Sequence, residues 1–93
     1  MPIRRLELDV DTTVDGPAMV DLAHRLETVQ GVEGVTLTVR EIDIETVGLN
    51  VAIEGPDIDV DLVFGAIEKS GAVLHNINEV CAGNRAVGRV TNR

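Results

Sequence analysis

The chain has 93 residues, enough for one small domain that buries roughly 60–65 % of the surface its unfolded form exposes. Sixteen acidic against eight basic side chains give a net charge of −8, a field that repels phosphate backbones. One Phe with no Tyr or Trp leaves no stacking platform for nucleic-acid bases, and one cysteine, Cys81, excludes an intrachain disulfide and a thiolate metal cluster.

Residues 3–10, IRRLELDV, alternate Leu6, Leu8 and Val10 against Arg5, Glu7 and Asp9, which predicts a half-buried strand. A helix follows, expected to start near Asp15 as its cap, with Pro17 in the first turn. Met19, Leu22, Ala23, Leu26 and Val29 give it one apolar face, and Gly31 suits a left-handed end. Residues 34–45 read as a second strand and 49–54 as a third, with Gly48 in the tight connection. A second helix from about Asp59 to Ser70 buries Val60, Val63, Phe64 and Ile67, and Gly71 ends it. Residues 72–81, AVLHNINEVC, form the fourth strand.

The order β-α-β-β-α-β, with LETVQGVEGVTLTV echoed by IEKSGAVLHNINEV, predicts two β-α-β units around a pseudo-twofold. That is the ferredoxin-like α+β sandwich: antiparallel sheet order 4-1-3-2, both helices on one face. Residues 1–83 then make one domain and 84–93 a tail. The tail, NRAVGRVTNR, holds three arginines and no acid, which leaves −11 for the rest of the chain. A solvated tail and one docked on an acidic sheet face, its own or a neighbour's, are both consistent with it.

The second strand changes phase. Val35, Leu37 and Val39 point inward at odd positions, then Ile42 and Ile44 at even ones. Period-two alternation forbids this unless an extra residue intervenes, so a bulge is expected at Arg40–Glu41. Glu41, Asp43 and Glu45 then share the outer face with Thr36, Thr38 and Arg40. In the 4-1-3-2 order this strand is an edge, where charges and bulges discourage stray pairing. The three carboxylates are also the chain's candidate metal ligands, for Ca²⁺ or Mg²⁺. Outward residues two apart stand about 6–7 Å from each other, so an ion would need a further contributor. Glu7, Asp9 and Asp11 lie a strand away, and another subunit is the better source.

His75 and Glu79 are the other candidate ligand pair. A second bulge near Asn78–Glu79 would place Val73, His75, Ile77 and Val80 inward, making His75 a buried structural histidine. His24 is expected at the surface, and Cys81 as a small buried apolar residue. No Ser or Cys nucleophile accompanies a His–acid pair, and no phosphate-binding Gly motif is present.

Four segments together, IRRLELDV, GVEGVTLTVREIDIET, NVAIEG and GAVLHNINEVCAG, resemble the archaeal domain-of-unknown-function family 211 over nearly the whole chain. The resemblance implies the ferredoxin-like fold and assembly into homo-oligomers, with rings expected, and it implies no catalytic residue. High acid content, seven arginines and Lys69 alone suggest a halophilic member. Such a protein is expected to be soluble and cytoplasmic, with no apolar run near the ~18 residues of a membrane span. The leading expectation is a non-enzymatic, homo-oligomeric binding or regulatory module, with divalent cations at subunit junctions. There, Arg4, Arg5 and Arg40 would meet Glu7, Asp9, Glu41 or Asp43 of the next chain. The alternatives are a small-molecule sensor resembling ACT domains and a small enzyme with an inter-subunit site around His75.

Overall fold

Alternation of apolar and charged residues at the start of the chain makes β1 (Ile3–Thr13) the long central strand of a four-stranded sheet. In the computed structural model, which describes residues 2–85, β1 is followed by α1 (Met19–Glu27), β2 (Gly34–Ile42), β3 (Thr46–Glu54), α2 (Val60–Lys69) and β4 (Val73–Ala82). The strand order is β2-β3-β1-β4 and every neighbouring pair is antiparallel. This is the expected 4-1-3-2 order read from the other edge. Of the basic tail, only Asn84 and Arg85 are among the described residues, so its docking lies outside them.

The core is one aliphatic layer between sheet and helices. Leu6, Leu8 and Val10 of β1 meet Leu49, Val51 and Ile53 of β3, each at most 1% exposed. Leu22 and Leu26 from α1 and Val63 and Ile67 from α2 close over them. Each such side chain contributes about 1.5–3 kcal/mol by leaving water.

The two helices start differently. Asp59 caps α2, its carboxylate accepting from the Leu62 N–H at 3.2 Å. The expected cap of α1 at Asp15 is not made. That helix begins four residues later, behind Ala18, which offers no side-chain cap. The cause is Pro17, whose ring bars Gly16 from helical geometry. Gly16 instead closes a turn through its N–H to the Thr13 carbonyl at 2.9 Å. Gly31 takes a φ of +88°, and a Cβ there would run into the Asp57 carbonyl. Only glycine combines that rotation with so close an approach of two loops.

The β2–β3 connection also differs from expectation. The second strand stops at Ile42 and the third begins at Thr46, so the turn is Asp43–Glu45 and Gly48 lies inside β3. The Asp43 N–H closes the turn on the Thr46 carbonyl at 2.8 Å, and residues 46–48 continue the ladder against Asp11–Thr13. Long β1 supplies partners that extend β3 past the point where composition suggested a break.

Candidate functional site

The sheet's second face, away from the helices, is covered by no element among the described residues and holds most of the candidate residues. Arg5, Glu7, Asp9 and Asp11 of β1 project onto it, because cross-strand partners share a face and β1 buries the alternate positions.

Two arginines organise this face. At one end Arg5 donates to Glu79 Oε2 at 2.7 Å from Nη1, and its Nε stands 3.2 Å from Glu54 Oε2. The Nε contact is electrostatic only, since that buried nitrogen has no hydrogen-bond partner among the described residues. The Glu79 hydrogen bond, aided by the charge of both carboxylates, raises the Arg5 pKa further above its already high value. At the other end Arg40 donates to Glu41 Oε1 at 2.7 Å and to Asp11 Oδ1 at 3.4 Å, with Asp9 Oδ1 3.5 Å from its Nε. To reach β1 from β2, the Arg40 side chain lies flat across β3. It passes over Gly48, where a Cβ would stand 2.7 Å from Nη2. Gly48 is thus a backbone crossing for a side chain, a role that sequence spacing does not reveal.

The network continues to β4. Asn78 donates to Asp9 Oδ1 at 2.8 Å and accepts from Asn76 at 2.7 Å, while His75 Nδ1 stands 3.4 Å from Asp11 Oδ2. A polar strap therefore runs across the whole sheet, from Glu41 on one edge to His75 on the other. Its ends, Glu41 and His75, are solvated and its middle, Arg40, Asp9 and Asp11, is partly buried but open to water, so each pair contributes about 1 kcal/mol or less and weakens with salt.

The candidate metal ligands separate. Glu41 stays on β2 at the bulge, which falls at Arg40 as expected, between the pairs Val39–Leu49 and Glu41–Gly48. Asp43 and Glu45 are exposed turn residues, not outward positions of a strand. Among the described residues no three His, Cys, Asp or Glu side chains converge as a metal site would require. Ile42, opposite Val47, does lie on the helix side as its phase demands, yet it is 69% exposed, and Ile44 in the turn is 95% exposed. The helices do not reach this far, so phase and burial part company here.

His75 is corrected from buried to exposed: its side chain is 63% accessible on the open face. Strand β4 carries two bulges, at His75 and at Asn78, where β1 has no matching residue. They put Leu74, Ile77 and Val80 on the helix side, opposite Val10, Leu8 and Leu6. A single bulge near Asn78 would have turned Val73 and His75 inward. His75 and Glu79 do not form a pair, because they sit beside Asp11 and Glu7, about 13 Å apart along β1. The arginines expected to reach a neighbouring chain are engaged at home: Arg5 and Arg40 as above, and Arg4 through Nε to the Gly83 carbonyl at 2.8 Å. His24 is exposed and contacts Glu27 at 2.7 Å, and Cys81 is half-buried.

The antiparallel four-stranded sheet with its paired helices places the chain in the ferredoxin-like α+β class. Within it, residues 4–93 match the family model DUF211, Uncharacterized ArCR, and the chain belongs to that family. It is 39% identical over 88 residues to the Uncharacterized protein MJ0319 of Methanocaldococcus jannaschii, a match spanning 95% of this chain and 90% of the relative. Among the described residues, no helix is long and apolar enough to cross a membrane.

Proposed function

We propose that the protein is a non-enzymatic, homo-oligomeric binding module of the cytoplasm, adapted to high salt. Divalent cations are shared between its subunits. The observation that carries this reading is the distribution of exposed aliphatic side chains. Val39 and Ile42 lie on one outer strand, Val73, Ile77 and Val80 on the other, and Ile44 at the hairpin tip, while Val14, Val20 and Leu62 are exposed elsewhere. Apolar surface so placed along two sheet edges is the kind that copies of a chain cover for one another.

The cation part rests on Glu41, Asp43 and Glu45. These are exposed at the β2–β3 tip, and among the described residues they converge with no further ligand into a metal site. Ca²⁺ accepts six to eight oxygens, so the missing ligands would come from an adjoining subunit. A second reading, a metabolite sensor, is favoured by a cleft of about 540 Å³ beside β4, lined by Phe64, Gly65, Ala72 and Leu74.

The test is the light-scattering mass in ~2–3 M KCl, where exposed charges are screened. It is run with and without ~5 mM Ca²⁺, above the roughly millimolar affinity of weak sites. A mass of several times 10.0 kDa that melts higher with Ca²⁺ supports the reading. A 10.0 kDa particle in both conditions defeats it, and a metabolite-specific melting shift without a Ca²⁺ effect selects the sensor.

A further inference from the structure

Three apolar rows cross the helix side of the sheet from edge to edge. They are Val35–Ile53–Leu6–Val80, Leu37–Val51–Leu8–Ile77 and Val39–Leu49–Val10–Leu74. Each row is sealed in the middle and open at its ends: Val39 is 40%, Ile77 45% and Val80 53% exposed, with Val35, Leu37 and Leu74 half-buried. Among the described residues, the outer strands, of nine and ten residues, offer backbone groups with no ladder partner on their outer sides.

Resting on the homo-oligomeric reading, we propose that β2 of one copy pairs with β4 of the next, continuing the sheet and its three apolar rows across the junction. Topology makes this pairing antiparallel. Three successive antiparallel steps leave β4 running opposite to β2. A second copy, with its helices on the same side, therefore presents β4 to β2 in the favoured direction. With β4 keeping its bulges at Asn78 and His75, Val35 meets Val80, Leu37 meets Ile77 and Val39 meets Leu74 of the neighbour. Aliphatic side chains then stand opposite one another in all three rows.

Charge agrees. Of the sixteen acids, only Glu41 and Glu79 lie on these two strands. The junction places the neighbour's Glu79 beside Thr36 and its Val73 beside Glu41, so the two carboxylates stay at opposite ends. On a chain of net −8, these edges are where two copies meet with little repulsion. A twofold β4–β4 or β2–β2 contact would cover one edge and leave the other open, whereas this head-to-tail contact covers both with one kind of junction.

The fold supplies its own reporter. Gly34, Glu54, Arg5 and Cys81 form one further row, with Gly34 at the β2 end and Cys81 at the β4 end. The two ends lie about 14 Å apart within a chain, beyond the ~7 Å limit for a disulfide. A Cβ added at Gly34 meets nothing within 4 Å, so Gly34→Cys leaves the fold intact. Under mild copper–phenanthroline oxidation in molar KCl, Gly34→Cys should give a non-reducing ladder of covalent multimers. Gly34→Cys/Cys81→Ala and the wild type should give none. Dimers in the oxidised wild type (β4 on β4), or dimers that persist in the double variant (β2 on β2), would overturn the junction. So would absence of any cross-link in a protein whose scattering mass is oligomeric. A monomeric mass would overturn the oligomeric reading and this junction together.

Discussion

The middle and the margins of the sheet are built from the same residues and meet different fates. Leu8 and Ile77 face each other in one row, yet Leu8 is 0% exposed and Ile77 45%. The two helices seal the central strands and leave the outer ones partly bare. Stability therefore resides in the centre, and exposed apolar side chains such as Val39, Ile77 and Val80 lie at the edges. A margin of Lys or Pro would read as an edge protected against pairing. Here β2 and β4 contain neither; they carry Val, Leu and Ile, and their guards are the bulges at Arg40, His75 and Asn78.

Substitutions along one row measure that difference. Leu8→Ala, at the centre, should cost about 2–5 kcal/mol in urea unfolding, because a sealed site cannot collapse around the lost methyl groups. Gly31→Ala should cost about 1–3 kcal/mol, since its left-handed backbone cannot be kept once a Cβ meets the Asp57 carbonyl. Gly48→Ala should lift Arg40 off the sheet and cost about 1 kcal/mol, less in molar KCl than in dilute buffer. Denaturation at two salt concentrations checks it, and an equal loss at both would show that the Arg40 contacts are not responsible. Asp43→Asn/Glu45→Gln should abolish the Ca²⁺-dependent rise in melting. That rise amounts to about 1 kcal/mol at ~5 mM for a millimolar site. Ile77→Lys, at the margin, should change the stability of the separated chain by no more than about 0.5 kcal/mol, while removing the ability to assemble.

Much of this architecture was legible because alternation reports the face a residue occupies. Leu6, Leu8 and Val10 are buried as their spacing predicts, and the phase switch after Val39 locates the Arg40 bulge. Alternation does not report whether anything covers that face, so Ile42 has the right phase and remains exposed. The turn at Asp43–Glu45 was hidden because IDIET alternates like a strand and contains no Gly or Pro. His75 was misplaced because two bulges space Leu74, Ile77 and Val80 three apart, a pattern that a single bulge does not produce. The Arg40–Asp9–Asp11 cluster joins strands separated by a third, and only the sheet order brings them together.

We propose that copies of this chain meet at the exposed ends of the apolar rows. Light-scattering mass in molar KCl, wild type against Ile77→Lys, tests it most directly. The wild type should have a multiple of 10.0 kDa and the variant 10.0 kDa, with both chains folded by circular dichroism. A variant that keeps the wild-type mass would contradict it.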